Sequence, residues 1–434
     1  MSSINASEDQ DEIRPVRSFG PSRSHSQTLA QRRGLSPQTN VDSAMKAHFN
    51  QPRKLSMVPA SPMVFSSRPM STLLKPVVNA ARSALQMAQD EQDKRYFRSR
   101  RLKADHVIEK PWKDAKDPRE KWVTIIPLIA GSNGEFIQTT ATDENVFTQN
   151  GKLHIKPTLQ DSNLIEQNNT LHLGAGCTGS LFYECNAVTN TTNGTIIPPI
   201  KSGRINTMKG AKIKYGRIEV AATLPSGDWL WPAIWMLPVN NTYGPWPKSG
   251  EIDIMESRGN NWTYAQGGND IISSALHWGP DQRTDAWWQT NVKKEALHTT
   301  FAAKEHVFGL EWSEKYLFTY LDNRLAQVLY TPFSKPLWSR GRFPDSDQNG
   351  SIILNPWIGG GPSTPFDQEF YLILNVAVGG RNGWFKDGKS GKPWVDTSDS
   401  AAKEFWNGKD QWLPTWKEGA EMVVSSVKMW QQLD

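Results

Sequence analysis

Three acidic residues crowd one short segment of the chain: Glu251, Asp253 and Glu256, within Ser249-Gly250-Glu251-Ile252-Asp253-Ile254-Met255-Glu256-Ser257. Read as a strand, the segment puts Glu251 and Asp253 on one face, because successive side chains alternate. Ile252 and Ile254 then face the other way, into an apolar layer. Glu256 comes five positions after Glu251, so a regular strand would turn it into that layer. One extra residue at about Ile254-Met255, a β-bulge, returns it to the face of the other two. Like charges side by side on a sheet are destabilising, so stability alone does not favour the arrangement. It suits glycoside hydrolysis with retention, in which an ionised carboxylate acts as nucleophile and a protonated one as acid, roughly 5–5.5 Å apart. Asp253 can share a proton or hydrogen bond with a neighbour and push the two pKa values apart. Two other readings stay open, an exposed acidic edge and a metal site. No histidine lies in this strand to complete a ligand set, and no metal or cofactor is expected, a structural calcium being left open.

Aromatic residues precede the acids, in Asp228-Trp229-Leu230-Trp231-Pro232-Ala233-Ile234-Trp235. Alternation is expected to put Trp229, Trp231 and Trp235 on one face, where indoles can stack on sugar rings. Trp231 and Trp235 are therefore candidate substrate contacts, with burial in the core as the alternative. His277 and Trp278 end the run 271–276 close to the acids and are read as cleft residues, a structural histidine being the other choice. Asn375 is polar inside the apolar run Phe370–Val378, so it faces either a cleft or a hydrogen-bonded core.

The elements that must carry these residues are short and alternating. The runs 152–156, 213–222, His306–Trp312, Tyr316–Leu321, Phe370–Val378 and 422–430 read as strands with one buried face. Asp322-Asn323 reads as a tight hairpin turn, and a short helix fits 400–406 before Gly408. Many strands and almost no helix point to an all-β sandwich of two antiparallel sheets.

The motifs resemble glycoside hydrolase family 16. GEIDIMESRG at 250–259, GDWLWPAIWMLP at 227–238 and YGPWPKS at 243–249 carry the likeness, which covers roughly 134–432. It is the laminarinase-like branch that includes β-1,3-glucan-binding proteins, and the stretches at 276–280, 308–324 and 355–380 look like its fungal members. The resemblance implies a concanavalin A-like jelly roll, with Glu251 as nucleophile, Asp253 as its helper and Glu256 as general acid/base. It also implies a β-glucan substrate. Hydrolysis, transglycosylation of cell-wall glucan, and glucan binding without turnover are the competing roles.

Composition divides the chain. Residues 1–104 carry 17 Lys+Arg against 8 Asp+Glu, whereas the remainder carries 32 against 36 and all 19 Trp. The leader, poor in apolar periodicity, is expected to be disordered. Its run 94–103 reads as a nucleic-acid or anionic-lipid patch, or as a solvated linker. The acidic body lacks a basic groove, so nucleic acid is not expected as a partner; the body is expected to be a monomer. The segment 105–133 reads as a linker with an apolar run of about nine residues, too short to span a bilayer. A missing segment next to Ala130, including a first strand of the sandwich, is the expectation there. The catalytic domain is expected over 134–434. Sequons at Asn168, Asn190, Asn193, Asn240, Asn261 and Asn349 read as an extracellular or cell-wall body, or one anchored as a type II membrane protein. Cys177 and Cys185, the two cysteines present, fit a disulfide in an oxidising compartment.

Overall fold

The computed structural model describes residues 123–124, 133–417 and 419–432. The leader and its basic run lie outside the described residues, as does most of the apolar run. Among the described residues no helix is long and apolar enough to cross a membrane.

Strands are numbered in chain order. The first sheet runs β1 (Val123–Thr124), β9 (Arg204–Asn206), β19 (Phe370–Val378), β12 (Leu230–Pro238), β13 (Glu251–Ser257), β14 (Ile271–His277) and β15 (Val292–Glu295), with β10 (Lys212–Ile213) beside β19. The second runs β18 (Gln327–Pro332), β17 (Tyr316–Leu321), β16 (His306–Trp312), β11 (Gly216–Thr223), β20 (Met422–Gln431), β4 (Lys152–Ile155) and β3 (Val146–Gln149). Neighbours in both sheets pair antiparallel. A small sheet of β2 (Ile137–Thr139), β8 (Ile200–Ser202) and β5 (Thr158–Leu159), and a hairpin of β6 (Asn169–His172) and β7 (Asn186–Thr189), lie outside the two. This is the expected all-β, two-sheet architecture.

Period-two alternation builds the core. Ile218 and Val220 of β11, Phe308 and Leu310 of β16, and Ile234, Ile252 and Leu374 of the first sheet are all buried in one apolar cluster. Strand β19 is buried along its whole length, and Tyr371, Asn375 and Ala377, alternating along it, line a cleft. Four local expectations are refined. The run 213–222 breaks at Tyr215, whose φ of 61° ends β10 and lets β11 start on Gly216. The β17–β18 hairpin is wider than Asp322-Asn323 alone: Leu321 N–H bonds Ala326 O, and Asn323 Oδ1 accepts from Leu325 and Ala326 N–H inside the turn. The helix expected before Gly408 spans Ala401–Asn407. Finally, β1 adds an edge strand beside β9, upstream of the Gly134 boundary.

Candidate active site

Strand β13 holds the three acids as the spacing requires. Asp253 pairs with Trp235 and Glu256 with Ala233 on one side, and with Ala275 and Ser273 on the other. Three steps along β13 thus oppose two along each neighbour. The extra residue falls at Ile254-Met255, the position expected. The bulge turns Glu256 onto the face of Glu251 and Asp253, and all three line a cleft of about 1070 Å³. Ile252 and Ile254 are buried on the other side.

Each glutamate is held by one indole. Trp246 Nε1 donates to Glu251 Oε2 at 2.8 Å, and Trp231 Nε1 donates to Glu256 Oε1 at 2.9 Å. Asp253 is 2% exposed, and its Oδ2 lies 3.1 Å from His277 Nε2, an ion-pair contact without the alignment of a hydrogen bond. The other ring nitrogen of His277 faces Asp285 Oδ2 at 2.5 Å, and Asp285 is itself fixed by the N–H groups of Trp278 and Trp287. Burial works against a charge on His277, but the charges of Asp253 and Glu251 and the bond to Asp285 outweigh it and hold the imidazole well above its usual value.

Burial, with the charge of Asp253, drives both glutamates upward. Glu251 sits well above the ordinary carboxylate range. Glu256 is pushed up to about 8, against the opposing pull of His277, the Trp231 N–H and Arg258. Three carboxylates in one water-poor face cannot all ionise, so the cleft retains a proton near neutral pH. Glu251, Asp253 and His277 also have donor atoms within 4.8 Å of one another, as a metal site requires. A metal ion there would need His277 deprotonated, because an imidazolium has no lone pair to offer.

The cleft face also carries the other expected contacts. Trp231 stacks on Trp384 with ring centroids 4.6 Å apart. Trp235 Nε1 donates to Asn375 Oδ1 at 2.6 Å, with the Arg204 guanidinium 4.7 Å over its ring. His277 lies beneath Trp246 and Trp287, at centroid distances of 5.6 and 6.3 Å. Trp231, Trp235, His277 and Asn375 all line the cleft.

Trp278 does not. It is fully buried, bonds Thr290 Oγ1 and packs edge-on against Phe343. The reason is the alternation itself: where His277 faces the cleft, the next residue faces the core. Trp229 also leaves the expected face. Its φ of 67° places it before β12 begins, and it packs edge-on against Tyr264, Phe385 and Trp394.

Several cleft residues escaped the sequence reading: Trp246, Asp285, Trp287, Arg204, Glu135 and Arg258. Trp246 lies in the quoted YGPWPKS segment, five residues before Glu251, where a second indole beside an acid was a usable signal. Glu135 and Arg204 come from distant segments, and burial raises the carboxyl of the first and lowers the guanidinium of the second.

Away from the cleft, Cys177 and Cys185 form a disulfide. All six sequon asparagines are exposed.

Residues 138–371 match glycosyl hydrolases family 16. The chain is 41% identical over 325 residues to the β-1,3-glucan-binding protein of Penaeus monodon, covering 71% of this chain and 86% of that protein. It is 30% identical over 253 residues to glucan endo-1,3-β-glucosidase A1 of Niallia circulans, covering 57% of this chain and 29% of the relative. The laminarinase of Rhodothermus marinus is 25% identical, over 73% of this chain and 92% of its own, with a TM-score of 0.44. None of the three comes from a fungus, where the sequence motifs had pointed. A match through the strands that build the cleft, with the first relative covered over most of its length, means that the chain belongs to glycosyl hydrolase family 16.

Proposed function

We propose that the chain is an endo-acting hydrolase of β-1,3-linked, or mixed β-1,3/1,6-linked, glucan that works with retention of configuration. The observation that carries the reading is the bulged strand β13, which sets Glu251, Asp253 and Glu256 on one cleft face with Glu256 pushed up to about 8. A carboxyl still protonated at neutral pH can give its proton to the glycosidic oxygen as the bond to the anomeric carbon breaks. Glu251 then attacks that carbon, forming the glycosyl-enzyme; the carboxylate left on Glu256 takes a proton from the incoming water, whose oxygen bonds the anomeric carbon as the bond to Glu251 breaks and its carboxylate is released. The His277 imidazolium, 3.1 Å from Asp253, pulls Glu251 toward the ionised form that attack requires. Trp231 and Trp235 offer indole surface to the sugar rings.

A second reading, glucan binding without turnover, is favoured by the 41% identical relative, a β-1,3-glucan-binding protein. The intact acid set and its proton-holding environment support the enzyme. The disulfide and the exposed sequons support an extracellular setting.

The test is release of reducing ends from laminarin, with and without an acceptor oligosaccharide. Glu251→Gln and Glu256→Gln should each lower turnover by at least about 10³-fold while laminarin binding persists. Wild-type binding with no release of any product would establish the binding reading instead. Longer products appearing only with acceptor would establish transglycosylation.

A further inference from the structure

Arg258 lies two residues beyond Glu256, just past the end of β13, and both line the cleft. Among the described residues it has no carboxylate partner at salt-bridge distance; its donors go to carbonyls. Nε and Nη2 both bond Trp384 O, at 3.0 and 2.8 Å, and Nη1 reaches Gln266 O and Gly267 O at 3.4 Å each. The guanidinium carbon also sits 4.0 Å from the centre of the Trp384 ring. Arg258 therefore grips Trp384 twice, by backbone and by ring.

Trp384 has no other polar anchor on its side chain. Its indole nitrogen is buried without a partner. What places the ring is Arg258 and the flat stack on Trp231, 4.6 Å away and 10° from parallel. Trp231 in turn gives Glu256 its hydrogen bond at 2.9 Å, on Oε1. The contacts close a circuit: Glu256 to Trp231, Trp231 to Trp384, Trp384 to Arg258, and Arg258 back to Glu256 through Ser257. The general acid is thus fixed at both ends of a two-indole stack, with Oε1 occupied and Oε2 left to carry the transferable proton.

We infer that Arg258 is a positioning residue for the acid step, acting on the Glu256 carboxyl through Trp384 and Trp231. A planar guanidinium can lie on an indole and reach a carbonyl with two donors at once; an ammonium cannot do both. Without it the stack loses one wall, and the Glu256 oxygen bearing the proton drifts from the leaving oxygen. A displacement of about 1 Å costs on the order of 10²-fold in rate. The inference rests on the hydrolase reading, and its test keeps the two apart.

The measurement is kcat/KM, which reports the glycosylation half-reaction, on two substrates. Laminarin needs a proton on its leaving oxygen; an aryl β-laminarioside with a dinitrophenolate leaving group departs without one. Glu256→Gln serves as the reference arm and should lose activity on laminarin while keeping most of it on the aryl substrate. Arg258→Met and Trp384→Leu should show the same split, about 10- to 100-fold on laminarin and under about threefold on the aryl glycoside. Trp384→Phe, which keeps a stacking ring, should recover most of the laminarin rate. Arg258→Lys, a milder change for use if Arg258→Met fails to fold, should stay impaired on laminarin alone. Equal losses on both substrates for folded Arg258 variants, or none, would overturn the inference. If Glu256→Gln itself shows no split, the acid assignment falls, and that failure is a separate one.

Discussion

Glu256 is the residue at which chemistry and stability pull apart. Its carboxyl titrates at about 8 when folded, against about 4.5 for an ordinary glutamate. The folded chain therefore binds more protons than the unfolded chain between these values. The stabilising share of that proton is fully present below about pH 4.5 and is lost as pH rises through 8. Replacing the acid by its isosteric amide removes the cost of a buried charge and keeps an oxygen for the Trp231 N–H. Glu256→Gln should thus stabilise the fold relative to wild type by on the order of 1–3 kcal/mol at pH 8, and by much less at pH 5. Urea midpoints at the two pH values check this; equal stability changes at both would mean that the carboxyl titrates normally. The acids themselves were legible in the sequence because spacing on a strand dictates shared faces. Trp246 and Asp285, which anchor Glu251 and His277, stand in loops where no periodicity marks them, and only the tryptophan's place in the YGPWPKS segment offered a signal.

At the scale of elements, the bulge decides whether β13 is a site or an ordinary strand. Like charges on one side and a continuous apolar layer on the other left only one place for an extra residue, and the register confirms it at Ile254-Met255. Deleting Ile254 removes the extra residue and leaves Glu256 four positions after Glu251, on the same face of a regular strand and still opposite Ala233 and Ser273. The three acids then stay in the cleft, so the deletion variant should fold and keep measurable turnover of laminarin. Complete loss of turnover in a folded deletion variant would mean that the bend of the bulge, and not the shared face alone, sets the acids. The same alternation corrects Trp278. His277 and Trp278 are adjacent on or just past a strand, so one faces the cleft and the other the core. Trp229 was unreadable from pattern alone, because its positive φ is a property of the turn before β12.

For the molecule as a whole, the two sheets and their buried layer were legible from alternation, while the small sheet, with β2 and β8 paired in parallel, was not. Parallel pairing joins segments far apart in sequence and leaves no hairpin signal. The functional groups described all lie between Glu135 and Trp384. Among the described residues, every group given a role in the cleft comes after residue 104. A chain of residues 105–434 should keep its specific activity on laminarin within about twofold of the full chain. A loss beyond tenfold in a folded 105–434 chain would give the basic leader a part in catalysis.

Double displacement by Glu251 and Glu256 fixes the configuration of the first-formed product. Proton NMR of laminarin or a laminari-oligosaccharide, recorded in the first minutes of hydrolysis, separates the anomers before mutarotation. Double displacement gives the β-anomer first, with α appearing only later. An initial α-anomer would mean that water attacks directly, and would contradict the roles given to both glutamates.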